Sequence, residues 1–183
     1  MRLIILDRDG VINHDSEDYI KSPEEWIPIP GSLEAIARLY RAGYRIVVTT
    51  NQSGIGRGLL STDTLDCIHA RMLDAVRAHG GDIDGIFFCP HKPEDQCDCR
   101  KPLPGLLKQA AECLKVKLDG VFVVGDAERD IVAARRVGAS PVLVRTGKGK
   151  ETLSTSTELN GVPVFDDLAA FASALLSGKL TKR

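Results

Sequence analysis

Asp7 and Asp9 stand two residues apart in the run Asp7-Arg8-Asp9-Gly10-Val11, directly after the apolar Leu3-Ile4-Ile5-Leu6. Alone, such a pair reads as a solvated turn with a helix-capping aspartate. A second acidic group changes that reading, because Gly125-Asp126, with Asp130 soon after, follows another apolar run, Val121-Phe122-Val123-Val124. If the two runs are neighbouring parallel strands, their ends lie about 4.8 Å apart and the carboxylates converge. Converging carboxylates repel unless a cation joins them, and an all-oxygen set suits Mg²⁺. A carboxylate placed this way can attack phosphorus and form an aspartyl-phosphate. The transferring phosphoryl oxygens then need donors and positive charge around them. Thr50, Asn51, Gln52 and Ser53 offer donors at the end of a further apolar run. Lys101 offers a compact cation, and Arg100 a planar fork suited to a second anionic group. Gly54-Ile55-Gly56-Arg57-Gly58 matches neither the P-loop nor the dinucleotide fingerprint and reads as a flexible turn, with Arg57 as a substrate contact.

A second constellation is Cys89-Pro90-His91 followed by Cys97-Asp98-Cys99. Three cysteines and a histidine are a standard closed, tetrahedral zinc set, and four protein ligands make such a zinc structural. Buried free thiols and a disulfide are the alternatives. The first conflicts with the polar spacer Lys92-Pro93-Glu94-Asp95-Gln96, the second with a reducing compartment. Cys113 shares a helical face with Leu106 and Ala110 and is expected in the core, whereas Cys67 has no explanation. His69 and His79 are expected at the surface and His14 in solvent. Trp26 either packs on the body or lines the pocket.

Elements must carry these groups to one place. Leu3–Leu6, Ile46–Val48, Ile86–Phe88, Val121–Val124, Val142–Val144 and Val162–Phe165 read as strands, the last confined to an edge by Pro163. Helices are expected between them. One opens at Gly31-Ser32 with Leu33, Ile36, Ala37 and Tyr40 on one face, and one is capped by Ser61 or Thr62 with Leu65, Ile68, Met72 and Val76 on a stripe. Another starts near Pro104, one runs to about Gly138, and one covers 169–176. Residues 146–160 read as a mobile loop. Continuously apolar strands alternating with helices imply a doubly wound, mainly parallel α/β sheet, which collects ligands at the strands' C-terminal ends. No insertion is long enough for a separate cap domain, so loops 14–28 and 89–102 are expected to shape the pocket.

The chain has 183 residues, 43% hydrophobic and 27% charged, with a net charge of −1, which suits one domain over 1–183. That balance offers no field for nucleic acid or an anionic membrane. Charge comes too early at Met1-Arg2 for a signal peptide, so a cytoplasmic protein, working as a monomer, is expected.

Asp7-Arg8-Asp9-Gly10-Val11, Thr50, Lys101 and Gly125-Asp126 with Asp130 resemble the motif set of the haloacid-dehalogenase-like (HAD) phosphatases. More narrowly, Asp7–Asn13, Thr50-Asn51-Gln52-Ser53-Gly54 and Cys99-Arg100-Lys101-Pro102 are similar to the histidinol-phosphatase-like branch that includes the heptose-1,7-bisphosphate 7-phosphatases. The likeness runs from Met1 to about Val144. It implies a HAD-like Rossmannoid fold with a zinc loop on Cys89, His91, Cys97 and Cys99. Asp7 would be the nucleophile and Asp9 the general acid, then base. Asp7, the Asp9 main-chain carbonyl and Asp126 would hold Mg²⁺, with Asp130 behind them. Thr50 and Lys101 would stabilise the phosphoryl group, and Asp15, Tyr19, Asn51, Gln52, Ser53 and Arg100 would contact substrate. Ala127 departs from members with a lysine there, which leaves the preferred sugar anomer open. The implied reaction is hydrolysis of the 7-phosphate of D-glycero-D-manno-heptose 1,7-bisphosphate, a step towards lipopolysaccharide core sugars, with histidinol phosphate as the rival substrate. A phospho-accepting signalling domain would share Mg²⁺, Thr and Lys but has no need of Asp9. An inactive zinc-loop interaction module would leave Asp7, Asp9, Asp126 and Lys101 unexplained.

Overall fold

The computed structural model describes residues 2–180; Met1 and residues 181–183, which the one-domain expectation includes, lie outside the described residues. Six strands form one parallel sheet: β1 (Arg2–Leu6), β2 (Tyr44–Asn51), β3 (Gly85–Cys89), β4 (Phe122–Gly125), β5 (Ser140–Val144) and β6 (Val164–Phe165), in the order β3-β2-β1-β4-β5-β6. The two-residue β6 is at the edge, as Pro163 requires. The first strand is central, pairing Ile4 with Ile46 on one side and with Phe122 on the other.

Side chains alternate across the sheet and build two cores. Ile4, Leu6, Ile46, Val48 and Val124 meet α1 (Ser32–Arg41), α3 (Thr62–Ala78) and α7 (Leu168–Leu176) on one face. Leu3, Ile5, Val47 and Val123 meet α4 (Gly105–Leu114) and α5 (Glu128–Arg135) on the other. With both faces covered, every residue of β4 is buried, which is why that strand reads as an unbroken apolar run. Ser61 caps α3, its hydroxyl accepting from the Thr64 amide at 3.0 Å, a bond worth about 1 kcal/mol. The expected stripe Leu65, Ile68, Met72 and Val76 is fully buried.

Several expectations are corrected. Tyr40 is 43% exposed and Leu39 takes its place in the core, because α1 faces both the sheet and α7. Cys113 and Cys67 are both exposed. Of the two readings of Trp26, packing on the body holds: it is 1% exposed and belongs to the α1–α3 core. The Gly54–Gly58 segment is not a free turn: Ser53–Gly56 form the short helix α2, and the Gly56 amide donates to the Pro90 carbonyl at 2.9 Å. Residues 146–160 are not a bare loop either, since they contain α6 (Gly149–Thr155). No helix among the described residues is long and apolar enough to cross a membrane.

Candidate active site

From β1 the chain moves to β2 and β3 on one side, then returns to β4, β5 and β6 on the other. The strand order therefore reverses between β1 and β4, and a crevice opens at their C-terminal ends. Asp7 follows β1 and Asp126 follows β4 at that point. The carboxylates of Asp7, Asp126 and Asp130 each place an oxygen within 4.8 Å of the others. Asp126 is wedged between two backbones. Gly10 (φ 83°) and Gly147 (φ 55°) flank it, and a Cβ on either would lie 2.1 or 2.2 Å from Asp126 Oδ2. No side chain fits there, so both glycines are needed for the approach as well as for their left-handed backbone.

The 146–160 segment explains its own order here. Lys148 N donates to Asp126 Oδ2 (2.8 Å), Thr152 Oγ1 to the Asp126 carbonyl (2.9 Å) and Thr146 Oγ1 to the Gly10 carbonyl (2.6 Å). Asp126 Oδ1 is buried and has no hydrogen-bond partner. Asp130 is spoken for: it accepts from the Ala127 amide at 3.1 Å and pairs with Lys101 Nζ at 2.7 Å. Lys101, 2% exposed, also reaches Asp7 Oδ1 (3.1 Å) and the Thr49 carbonyl (2.8 Å). Burial works against its charge, but Asp130 and Asp7 outweigh that and raise its pKa. Burial likewise pushes Asp7 up to about 6, with Lys101 opposing and Asp130 adding to the rise. Asp126 rises to about 8 through burial and then repulsion from Asp7 and Asp130. Three crowded carboxylates, one with an unsatisfied buried oxygen, are a fitting seat for a hard divalent cation.

Asp9 is held differently. Burial would raise it, yet the Arg8 charge and hydrogen bonds from Asn13, Arg8 and Gln52 keep its carboxyl below the usual range. Gln52 Nε2 bridges Asp9 Oδ2 (2.8 Å) and Thr50 Oγ1 (2.9 Å). Asn51 spends both ends of its amide on the Lys101 backbone, at 3.0 Å each, and so joins β2 to the cation. Asp7, Asp9, Asp15, Tyr19, Thr50, Asn51, Gln52, Ser53 and Arg100 all line one cavity of about 200 Å³; Lys101, Asp126 and Asp130 join it through Asp7. Loops 14–28 and 89–102 do shape that cavity, through Asp15, Ser16, Glu17, Tyr19 and Ile20 and through Arg100. Arg57 is exposed and does not line it.

The sequence assigns no role to three neighbours, Arg8, Arg129 and Lys148, and misplaces a fourth, His69. Arg129 and Lys148 line the cavity. Burial alone would lower the pKa of Arg129, but Asp130, Asp7, Asp126 and Asp15 more than reverse that, and its Nε has no hydrogen-bond partner. Lys148 Nζ lies 3.8 Å from Asp15. Their positions just beyond the ends of β4 and β5 were the available signal. His69 is 6% exposed rather than at the surface, with Nε2 at 3.3 Å from Arg8 Nη1. His14 and His79 are exposed, as expected.

Beside the cavity, the ligand atoms of Cys89, His91, Cys97 and Cys99 lie within 4.8 Å of one another. Their separations include 3.1 Å between the Cys89 and Cys99 sulfurs, 3.5 Å between Cys97 and Cys99 and 3.4 Å from His91 Nδ1 to Cys99. A tetrahedron with arms of about 2.3 Å has edges of about 3.8 Å, slightly wider than this cluster. All of the described cysteines are free, so no disulfide competes. Although burial opposes it, the Arg100 amide and the neighbouring thiols bring the Cys97 thiol down to about 7. The loop then hands over to the cavity, for Arg100 Nη1 donates to the His91 carbonyl at 3.1 Å.

Residues 98–171 match the family model described as HAD-hydrolase-like. The chain is 53% identical over 180 residues to the D-glycero-beta-D-manno-heptose-1,7-bisphosphate 7-phosphatase of Pseudomonas putida, which covers 96% of this chain and 100% of the relative. It is 56% identical over 174 residues to the phosphatase of the same name from Pseudomonas aeruginosa, covering 95% and 97%. The crystal structure of D,D-heptose 1,7-bisphosphate phosphatase from B. bronchiseptica, complexed with magnesium and phosphate, superposes with a TM-score of 0.95 at 52% identity, covering 97% and 99%. Likeness of this degree over nearly the whole length, on a sheet that carries the acidic motifs at its switch point, shows that the chain belongs to the D-glycero-D-manno-heptose-1,7-bisphosphate 7-phosphatase family of HAD-like hydrolases.

Proposed function

We propose that this chain hydrolyses the 7-phosphate of D-glycero-beta-D-manno-heptose 1,7-bisphosphate through an aspartyl-phosphate on Asp7. The observation that carries the reading is Asp7 itself: a buried carboxylate tied through Oδ1 to Lys101 and the Arg8 amide, opening on a cavity lined by donors and cations. The named relatives support the sugar and the anomer. Asp7, Asp126 and the Asp9 carbonyl would hold Mg²⁺, which supplies charge neutralisation at the phosphoryl oxygens when bound. Thr50 and Lys101 orient those oxygens. An Asp7 oxygen forms the new bond to phosphorus as the bond to the sugar oxygen breaks, and that oxygen takes a proton from Asp9, whose carboxylate, ionised in the free site, takes that proton up on binding the phosphate monoester. Asp9 next removes a proton from water; the water oxygen attacks phosphorus and frees Asp7 and inorganic phosphate. Arg100, with Arg129 and Lys148 near it, binds the phosphate that does not react. The single-domain, monomeric and cytoplasmic readings belong to this proposal.

The direct test is phosphate release from both heptose 1,7-bisphosphate anomers, histidinol phosphate and generic sugar phosphates, with Mg²⁺ and then with EDTA. The beta bisphosphate is expected to have the highest kcat/KM, and EDTA to stop turnover. A higher kcat/KM for histidinol phosphate overturns the substrate, and full activity in EDTA overturns the metal.

The thiol cluster is read as a structural zinc site on Cys89, His91, Cys97 and Cys99. Cys97→Ser is expected to lower zinc content, measured by elemental analysis, and to reduce kcat/KM together with it. The loop positions Arg100 and Lys101, and an ångström of misplacement can cost about 10²-fold in rate. Zinc-free protein and a fully active Cys97→Ser variant would leave the cluster as loop thiols only.

A further inference from the structure

His69 sits on the buried stripe of α3 between Leu65, Ile68 and Met72, where an apolar side chain would pack without cost. It is instead aimed at Arg8. A guanidinium has donors only, so the 3.3 Å contact requires His69 Nε2 to accept and its proton to stand on Nδ1. Burial, and then the Arg8 charge, hold the imidazole neutral by lowering it to about 4, against the smaller upward pull of Asp9. Phe88 is the aromatic neighbour, its ring centroid 6.1 Å away and tilted.

Arg8 is itself fully buried, and its other two nitrogens are committed to Asp9. Nε lies 3.0 Å from Asp9 Oδ1, while Nη2 lies 2.9 Å from Oδ1 and 3.1 Å from Oδ2. Asn13 Nδ2 (2.9 Å) and Gln52 Nε2 (2.8 Å) complete the grip. Only Nη1 is left over from this fork, and His69 takes it. A planar guanidinium fixed at one end by a carboxylate and at the other by a histidine cannot rotate without losing a buried hydrogen bond.

We propose that His69 is a positioning residue for proton transfer: by anchoring Arg8 from α3, it fixes the place of the Asp9 carboxyl relative to the leaving oxygen. The proposal rests on the reading of Asp9 as the proton donor. It differs from a core-filling role for His69 in a measurable way. The quantity kcat/KM reports steps up to departure of the leaving group. A sugar phosphate leaves as a strongly basic alkoxide and needs the Asp9 proton, whereas p-nitrophenyl phosphate releases a weak base and does not.

The experiment compares wild type with His69→Leu, which removes the acceptor, and His69→Gln, whose amide oxygen reaches close to the Nε2 position. His69→Leu is expected to lose about 10- to 100-fold in kcat/KM on the sugar phosphate with KM little changed, but less than about threefold on p-nitrophenyl phosphate. His69→Gln is expected to recover most of the sugar phosphate activity. Should His69→Leu not fold, His69→Asn, polar but one carbon shorter, replaces it with the same expectation. Equal losses on both esters, or no loss on either, overturn the proposal. Asp9→Asn run alongside separates the two readings: if it spares sugar phosphate selectively, the role of Asp9 fails before that of His69 is reached.

Discussion

Asp7→Asn is expected to abolish turnover, lowering kcat by more than about 10⁴-fold, because an amide oxygen is too poor a nucleophile to open a phosphate ester. The substitution is nearly isosteric. Lys101 keeps Asp130 at 2.7 Å and the Thr49 carbonyl at 2.8 Å, so the pocket need not collapse when the Asp7 charge goes. Rapid quench with radiolabelled substrate is the decisive measurement. Wild type should accumulate or pass through protein-bound phosphate, and the variant should show none. Substantial phosphate release by a clean Asp7→Asn preparation would sink the covalent mechanism.

Asp9→Asn is expected to cost about 10²- to 10⁴-fold in kcat, the range associated with loss of one proton relay. The local geometry adds to the damage. Arg8, Asn13 and Gln52 all point donors at this carboxylate, so an amide in its place sets an NH₂ against at least one of them. With an activated aryl ester the first step can proceed, while water attack still lacks its base, so a burst of leaving group followed by slow turnover is expected. A kcat within about tenfold of wild type would remove Asp9 from proton transfer.

How much of this was legible in the chain varies with what each residue responds to. The strands stood out because both faces of the sheet are covered and every position in a run such as Phe122–Gly125 is buried. The motif aspartates stood out because two acidic groups follow two separate apolar runs, whereas either one alone reads as a solvated turn. Residues that answer to a partner far away in sequence did not. His69 looks like a surface histidine until Arg8 is placed opposite it. Lys148 and Thr152 look like loop chemistry until Asp126 supplies the acceptors that order them. Tyr40 and Leu39 were exchanged because a helix buried against two neighbours carries a wider apolar face than its period suggests. Cys113 shares its face with the buried Leu106 and Ala110, yet it sits in the last turn of α4 and is exposed, so face alone does not decide burial at a helix end.

The central place of β1 carries a consequence for how the molecule comes into being. The strand that leaves the ribosome first needs partners on both flanks, and Phe122, opposite Ile4, is made long after Ile46. Until then Asp7 ends a half-built sheet without Asp126 and Asp130 beside it. The crowding that prepares the pocket for a cation therefore waits for β4, as does the core that Phe122, Val124, Val142 and Phe171 complete. Pairings this distant in sequence slow folding. In exchange, the pairing of β1 with β4 that joins the two halves of the sheet also brings the crowded carboxylates together, so the seat for the cation exists only in the assembled sheet.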